Sequence, residues 1–239
     1  MLPCTLFLQT LIIPFPKVTL AASDTLLIEP DSGKRESLVR ETGCRAKASM
    51  DDEIAAADCL LLAVKPQSAT DVMPTLKPLL TGNPMLISVM AGVSMQSLEE
   101  GLGLKKLVRV MPNTPALVGE GMRVYFASEA VNDEEREWIR KLFSSCGKCM
   151  AVEDENAIDA ATAVSGSGPA YLFYLAEQMI EAAKNLGFQA EQAETLVKQT
   201  LKGASLLLQE QESAAELRRR VTSPGGTTEA ALKKFAEGK

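Results

Sequence analysis

The sequence predicts an α/β protein in which a Rossmann-like, doubly wound parallel sheet is followed by an all-helical region. Between residues 25 and 152, short apolar runs alternate with amphipathic stretches, a rhythm typical of strands connected by helices. From about Glu155 onward the pattern is helical, and no further strand is evident. We therefore expect two domains, residues 1–153 and residues 154–239.

The strands of the first domain are predicted at the apolar runs, and its helices at the amphipathic stretches between them. The turns after the carboxyl ends of the strands are where a doubly wound sheet binds its ligand, so any chemistry is expected there. The predicted strands are 25–29, 59–64, 84–90, 106–111, 122–127 and 148–152, and the predicted helices are 32–42, 69–79, 94–101 and 133–143.

The first helix of the second domain is predicted over residues 155–186, and it contains two glycines and a proline within Ser165–Tyr171. In a helix interior each glycine costs about 1 kcal/mol and a proline about 3 kcal/mol. We therefore expect a kinked or thinned helix there, which suggests close approach of its backbone to another helix or to a ligand. Further helices are predicted over 189–209, over 213–220 and from about Glu229.

The composition argues against several classes of protein. A chain of 239 residues with 46% hydrophobic content can bury a sizeable core. A net charge of -6, with no basic run longer than Arg218–Arg220, argues against a nucleic-acid partner. The apolar stretch from Leu6 to Phe15 is interrupted by polar residues and a proline and lacks a positively charged start, so we expect neither a membrane span nor a secretory signal.

The cysteine and histidine content narrows the possible chemistry. Five cysteines without framework spacing suit a reducing compartment better than a disulfide-linked scaffold. Cys146 and Cys149 form a CxxC pair, but there is no second pair and no histidine, so we expect no metal site. The absence of histidine also excludes Ser-His-Asp and Cys-His catalysis. It favours a reaction in which a cofactor carries the difficult step.

Two turns that follow predicted strands carry unusual residues. In the segment 63–67, Lys65 and the adjacent proline suit a cofactor phosphate or ribose lying across the crevice. In the segment 110–116, two prolines stiffen a loop that presents Asn113 and Thr114 as hydrogen-bonding groups. Each segment taken alone is equally well explained as an ordinary turn rich in proline and polar residues.

A third segment, Val221–Leu232, places hydroxyl residues, a proline and two glycines in front of a helix-forming run. The unpaired amides of a first helical turn and the helix dipole favour an anion, and glycines let a ligand approach the backbone. This pattern indicates a site for a carboxylate or a phosphate. Alternatively, it is a loop that caps a helix.

These segments together resemble pyrroline-5-carboxylate reductase, an oxidoreductase of amino-acid biosynthesis. The resemblance runs from about Glu29 to Leu232 and is carried by residues 63–67, 109–122, 165–171 and 222–228. It implies a Rossmann domain followed by a helical, substrate-binding dimerisation domain. It also implies reduction of 1-pyrroline-5-carboxylate to L-proline by NAD(P)H, the last step of proline biosynthesis, in a cytoplasmic homodimer or higher homo-oligomer.

The resemblance also assigns residues. The catalytic candidates are Thr228 and Ser223, with Thr228 expected to hydrogen-bond near the ring nitrogen or the carboxylate of the substrate. The implied cofactor-binding residues are Ala63, Val64, Lys65, Pro66, Ala91, Gly92 and Asn113. The implied substrate-binding residues are Glu155, Thr162, Ser167, Gly225, Gly226, Thr227 and Thr228.

The start of the chain departs from the family, which opens with a strand and a glycine-rich turn that binds pyrophosphate. No glycine precedes Gly33, so we expect the first strand and this turn to be missing, with residues 8–13 as the end of the first helix. The sequence also stops soon after Leu232, where the family continues. Either the sequence is incomplete, or a real loss leaves weak dinucleotide binding or a non-catalytic protein.

The sequence leaves two further points open, namely the preferred nicotinamide cofactor and the exact function. Glu29 suits the ribose 2′-hydroxyl of NAD, whereas Lys34 and Arg35 suit the 2′-phosphate of NADP. All three are equally well explained as solvated surface charges, and only the resemblance favours NADP. The alternative functions are reduction of another cyclic imine, or a catalytically impaired homologue that only binds or dimerises. A β-hydroxyacid dehydrogenase would need a lysine on the kinked helix, and residues 165–177 contain none.

Overall fold

The computed structural model describes residues 22–237. The chain divides into two compact units, one ending at Pro169 and the other beginning at Ala170. The predicted boundary near residue 153 stays a prediction. The expected absence of a first strand and a glycine-rich turn concerns residues 1–21, which lie outside the described part. No helix between residues 22 and 237 has both the length and the apolar character needed to span a bilayer.

The strands of the first unit form two sheets. The smaller sheet pairs β1 with β2, and the larger has the order β3-β4-β5-β6-β7. All but one of the pairings are parallel, as expected for this fold class. The strands are β1 (Leu26–Ile28), β2 (Arg45–Lys47), β3 (Cys59–Leu62), β4 (Met85–Ser88), β5 (Leu107–Met111), β6 (Gly121–Ala127) and β7 (Gly147–Ala151).

The exception is the pair β5 and β6, which are antiparallel. Their connection runs only from residue 112 to residue 120. A parallel return needs a crossover of about a dozen residues or more, usually a helix, so a connection of this length turns the chain back instead.

Strand β2 was not predicted, because its three residues include only one that is apolar. It forms through pairing with β1, in which Leu26 lies opposite Arg45 and Ile28 opposite Lys47. A hydrogen bond from Glu29 N to Lys47 O at 3.0 Å extends the ladder. Pairing partners rather than local composition therefore determine this element.

The predicted helices are present, with ends that shift by a few residues. The first is bounded as its sequence indicates: Asp31 accepts a hydrogen bond from Lys34 N, and Gly43 ends the helix with φ of 70°. The last begins at Thr227 rather than at Glu229. The helices are α1 (Ser32–Thr42), α2 (Ala69–Leu76), α3 (Met95–Leu102), α4 (Asp133–Ser144), α5 (Asn156–Ala161), α6 (Gly168–Asn185), α7 (Ala190–Leu207), α8 (Ala214–Arg220) and α9 (Thr227–Glu237).

The helix predicted over residues 155–186 is interrupted where its glycines and proline indicated. α5 is followed by a single π-helical segment, Thr162–Gly166, and the chain resumes as α6 at Gly168. Pro169 therefore lies in the first turn of α6, where a missing N–H and a fixed φ cost little.

The core of the first unit lies on both faces of the larger sheet. On β4, Leu86 packs into one hydrophobic cluster with residues of α2 and α3. Met85 and Ile87 pack into a second cluster with residues of α4. Because side chains alternate along a strand, helices cover both faces, as expected for a doubly wound sheet.

Candidate active site

Two turns at the carboxyl end of the larger sheet lie side by side. β3 and β4 are parallel neighbours, and their last residues, Leu62 and Ser88, pair with each other. Val89 N donates to Leu62 O at 3.2 Å, which joins the segments that leave the two strands. Residues 63–66 and 89–94 therefore form one continuous edge, which we call the turn rim. In a doubly wound sheet, ligands bind at this position.

The turn rim exposes Lys65, Ala91 and Gly92, three of the residues predicted to contact a cofactor. Gly92 has φ of 72°, and a Cβ built on it would meet no atom within 4 Å. The left-handed backbone favours glycine, and the open space lets a ligand approach the main chain. Of the other predicted residues here, Ala63 is buried and Val64 and Pro66 are half-buried.

The residues expected to distinguish NAD from NADP follow β1. The Glu29 carboxylate accepts a hydrogen bond from Asp31 N at 2.9 Å. The Arg35 guanidinium donates to the main-chain oxygen of Glu29 at 2.7 Å. Within residues 22–237, the Lys34 side chain is exposed and makes no ion pair or hydrogen bond, so this ammonium is accessible to an anion.

An ion cluster around the buried Arg109 joins β5 to two helices. Arg109 is only 3% exposed, and its guanidinium donates to Glu155 Oε1 at 2.5 Å and to Asp159 Oδ1 at 3.1 Å. Glu155 Oε1 also accepts from Met95 N, the first amide of α3, at 2.7 Å. Predicted as a substrate-binding residue, Glu155 thus connects the amino end of α3 to β5 and α5, and its contact with substrate stays a prediction.

Asn113, predicted to bind the cofactor, is 8% exposed and uses both ends of its amide within the protein. Its Nδ2 donates to Ser165 O at 3.0 Å, and its Oδ1 accepts from Met122 N at 2.8 Å. The side chain therefore links the π-helical segment to β6. Its role in cofactor binding stays a prediction.

The π-helical segment lies against the end of β5. A Cβ on Gly166 would come within 2.5 Å of the terminal methyl of Met111, so the glycine permits this close approach. The Thr162 hydroxyl donates to Ile158 O at 2.9 Å, and Thr162 O accepts from Ser167 N at 2.8 Å. Thr162 and Ser167, both predicted substrate-binding residues, are half-buried at opposite ends of this segment.

The loop predicted to bind an anion, which we call the anion loop, is the part of the segment Val221–Leu232 that precedes α9. It lies in the second unit. Gly225 has φ of 71°, and its amide donates to Glu229 Oε2 at 2.8 Å. Gly226 N donates to Ser223 O at 3.0 Å, which folds the loop into a turn before Thr227 starts the helix. In the part of the chain that the structure describes, no hydrogen bond involves the hydroxyls of Ser223, Thr227 and Thr228.

The predicted site residues thus fall into two groups. Those between residues 63 and 167 belong to the first unit, where hydrogen bonds connect the turn rim, β5 and the π-helical segment. Ser223, Gly225, Gly226, Thr227 and Thr228 belong to the second unit.

Two of the cysteines are poor nucleophiles. Burial raises the pKa of the Cys59 thiol to about 12 and that of the Cys149 thiol to about 11. Both thiols are therefore protonated at neutral pH, and a protonated thiol neither attacks carbon nor binds metal well.

A comparison with curated proteins connects this geometry to a family. The pyrroline-5-carboxylate reductase of Pseudomonas aeruginosa is 41% identical over 222 residues, which cover 92% of this chain and 80% of that protein. The chain belongs to the pyrroline-5-carboxylate reductase family. The resemblance seen in the sequence is therefore confirmed.

Solved structures of the family share the fold. A pyrroline-5-carboxylate reductase from Coxiella burnetii matches with a TM-score of 0.83 and 32% identity, over 98% of this chain and 87% of that one. The Plasmodium falciparum pyrroline carboxylate reductase, solved with NADP bound, matches with a TM-score of 0.84 and 31% identity over the same shares. Family models for pyrroline-5-carboxylate reductase dimerisation and for a coenzyme F420-dependent NADP oxidoreductase match residues 155–239 and 18–92.

Sequence reasoning did not assign roles to Arg109, Asp159 or Glu229. Arg109 gave a signal, because a cation inside an otherwise apolar strand must find an anionic partner when it is buried. Nothing in the sequence indicates which anion that partner is, since Glu155 and Asp159 follow far along the chain. Glu229 resembles an ordinary acidic residue of a first helical turn.

Proposed function

We propose that this chain reduces 1-pyrroline-5-carboxylate to L-proline with a hydride from NADPH, the last step of proline biosynthesis. Family membership carries the proposal, because the 41% identity extends over 92% of the chain. The turn rim of the first unit is the proposed site of the cofactor, and the loop before α9 in the second unit is the proposed site of the substrate carboxylate.

NADPH is the proposed cofactor, and NADH is the alternative. The Plasmodium relative was solved with NADP bound, and one matched family model describes NADP oxidoreductases. The residues of the turn rim suit a nicotinamide nucleotide, since Lys65 offers an exposed cation and Gly92 an open main chain. Lys34 supplies an unpaired ammonium for a 2′-phosphate. When bound, the cofactor supplies the hydride.

The proposed carboxylate site is the loop before α9. The amides of a first helical turn and the positive end of the helix dipole attract the carboxylate, with the hydroxyls of Ser223, Thr227 and Thr228 as further donors. We assign Thr228 the hydrogen bond closest to the ring nitrogen or the carboxylate. Thr162 and Ser167 are proposed to line the pocket beside the ring.

The chemistry requires little acid or base catalysis from the protein. A cyclic imine that arrives protonated is an iminium ion, which accepts a hydride at its ring carbon and leaves a neutral amine. The enzyme then acts mainly by holding the nicotinamide against that carbon, and such positioning contributes several kcal/mol, up to about 7–11 kcal/mol in favourable cases. A chain without histidine is suited to such a reaction.

The assembly is proposed to be a homodimer, or a higher homo-oligomer, in the cytoplasm. The matched dimerisation model covers residues 155–239, and four consecutive apolar residues of α6, Tyr171–Tyr174, are each more than half exposed. The four cysteines within residues 22–237 form no disulfide, which is consistent with a reducing compartment.

The experiment is an NADPH oxidation assay with the purified chain and 1-pyrroline-5-carboxylate, with identification of proline as the product. NADH replaces NADPH in a second series. A third series uses 1-pyrroline, which has the same ring and imine but no carboxylate. The third series distinguishes this function from reduction of another cyclic imine.

We expect proline formation with a lower KM for NADPH than for NADH, and activity on 1-pyrroline at least about tenfold weaker, because charge-assisted hydrogen bonds to the carboxylate are lost. Equal activity on 1-pyrroline would favour a general imine reductase. NADPH binding without turnover of either imine would identify the chain as a catalytically impaired homologue.

A further inference from the structure

The ion cluster of Arg109 lies directly behind the turn rim. The rim ends at Ser94, whose side chain accepts a hydrogen bond from Ser97 N and so begins α3. The next residue, Met95, donates its amide to Glu155 Oε1 at 2.7 Å and has a buried side chain. The last residue of the rim is therefore adjacent to an amide that the Glu155 carboxylate holds.

Glu155 is held in turn by a cation that has little freedom to move. The Arg109 side chain is 4% exposed, against 27% for Glu155 and 62% for Asp159. An ion pair shielded from water is screened less than an exposed one, so Glu155 is the principal partner of Arg109. Asp159 contributes a weaker, solvent-screened bond.

Strand β5 and the loop that follows it also hold the segment proposed to line the substrate pocket. Arg109, Met111 and Asn113 alternate along the chain, and all three contact the polypeptide between Glu155 and Gly166. Arg109 holds α5, and Asn113 holds the π-helical segment through Ser165 O. One carboxylate therefore connects the proposed cofactor turn to the proposed substrate segment.

We infer that Glu155 is a positioning residue that fixes the Ala91–Ser94 turn for the nicotinamide by holding Met95 N and Arg109, and that it does not bind the substrate itself. Both contacts use Oε1 and engage protein groups rather than a pocket. This inference rests on the proposed function, because it takes the turn rim as the cofactor site.

The test compares Glu155→Ala and Glu155→Gln with the control Glu153→Ala, which changes an exposed acidic residue of the same connection. NADPH affinity is measured directly, from the fluorescence of the reduced nicotinamide without substrate. The KM for each reactant and kcat follow from the NADPH oxidation assay. Circular dichroism monitors folding.

We expect Glu155→Ala to raise the Kd and KM for NADPH about tenfold or more, because the turn that contacts the nicotinamide is no longer held in place. The KM for 1-pyrroline-5-carboxylate should change less than twofold. Glu155→Gln keeps an acceptor for Met95 N but weakens the bond to Arg109, so it should raise the Kd about threefold. Glu153→Ala should match the parent.

A selective rise in the KM for 1-pyrroline-5-carboxylate would overturn the inference, because it would indicate direct substrate contact. So would unchanged NADPH affinity in a folded Glu155→Ala protein. If the Glu155→Ala variant does not fold, the test rests on Glu155→Gln. An NADPH Kd of Glu155→Gln equal to that of the parent would then overturn the inference. A parent that binds NADPH without reducing the imine contradicts the proposed function but leaves the affinity comparison valid.

Discussion

Gly92 and Gly103 have similar positive φ angles on either side of α3. Their φ angles are 72° and 77°, and a Cβ on either residue would meet no atom within 4 Å. Gly103 ends α3 as a left-handed cap, whereas Gly92 lies in the turn rim. An alanine at either position would meet similar backbone strain and similar open space, so comparing the two substitutions separates a structural effect from a functional one.

Gly92→Ala should reduce both stability and cofactor affinity, whereas Gly103→Ala should reduce stability alone. Each alanine is forced into the left-handed region at a cost of about 1–2 kcal/mol in the free energy of unfolding. Only the new methyl at residue 92 lies where the nicotinamide is proposed to approach, and there we expect about tenfold weaker NADPH binding. Urea denaturation and nicotinamide fluorescence measure the two effects. Equal NADPH affinity in both variants would contradict the assignment of the turn rim.

Thr228→Ala should raise the KM for 1-pyrroline-5-carboxylate and lower kcat, because a donor close to the reacting ring is removed. The loss of one such hydrogen bond corresponds to a factor of up to about ten. Steady-state kinetics measure both constants. Thr200→Ala is the control, since its hydroxyl donates only to Leu196 O within α7. Kinetics of Thr228→Ala that equal those of this control would rule out the role of Thr228.

At the scale of an element, α4 is bounded by side chains at both ends. Asn132 accepts from Glu135 N and Glu135 accepts from Asn132 N, each at 2.9 Å, which forms a capping box. At the other end, the buried Arg123 donates to Phe143 O at 3.1 Å. Lys106, just before β5, donates to Glu135 at 2.6 Å and so joins the helix to the sheet. The Lys106 ammonium holds the pKa of the Glu135 carboxyl below its ordinary value.

Glu135→Gln should therefore destabilise the protein in a pH-dependent way. Because the folded-state pKa of Glu135 is lowered, its ionised form adds stability above the ordinary pKa of the carboxyl, and this contribution is lost as the pH falls through the lowered value. We expect a loss of about 1 kcal/mol at neutral pH. Urea denaturation across the acidic range measures it, with the exposed Glu134→Gln as control. A deficit that persists in full below the lowered pKa would exclude an electrostatic origin.

At the scale of the whole molecule, the exposed apolar turn of α6 is the feature that favours association with a second copy of the chain. Four consecutive residues of this helix, Tyr171 to Tyr174, are 58–66% exposed. Four residues cover every side of a helical turn of 3.6 residues, and a turn that is apolar all round belongs in an interior. A partner subunit is the proposed covering.

Phe173→Glu should dissociate the proposed dimer, because a charge without a partner would be buried at the interface. Analytical ultracentrifugation should show the parent as a dimer or larger and the variant shifted towards a monomer. Val39→Glu places the same charge on an exposed apolar residue of α1 and should leave the assembly unchanged. A monomeric parent would contradict the proposed assembly.

Much of the architecture could be predicted from local patterns. Apolar periodicity located the helices and all the strands between residues 22 and 237 except β2, and the motif segments identified the family. β2 and the antiparallel pairing of β5 with β6 could not be predicted in this way, because each depends on which strand lies alongside. The roles of the candidate site residues are still predictions.

The sequence by itself determined the fold class, the family and the two segments proposed to hold the reactants, since periodicity, turn residues and motifs are local properties of a chain. Only the tertiary structure decided that Arg109 pairs with Glu155 and that the Asn113 side-chain amide forms hydrogen bonds with Ser165 and Met122. A buried polar group must find partners wherever folding brings them, and spacing along the chain does not specify which residues those are.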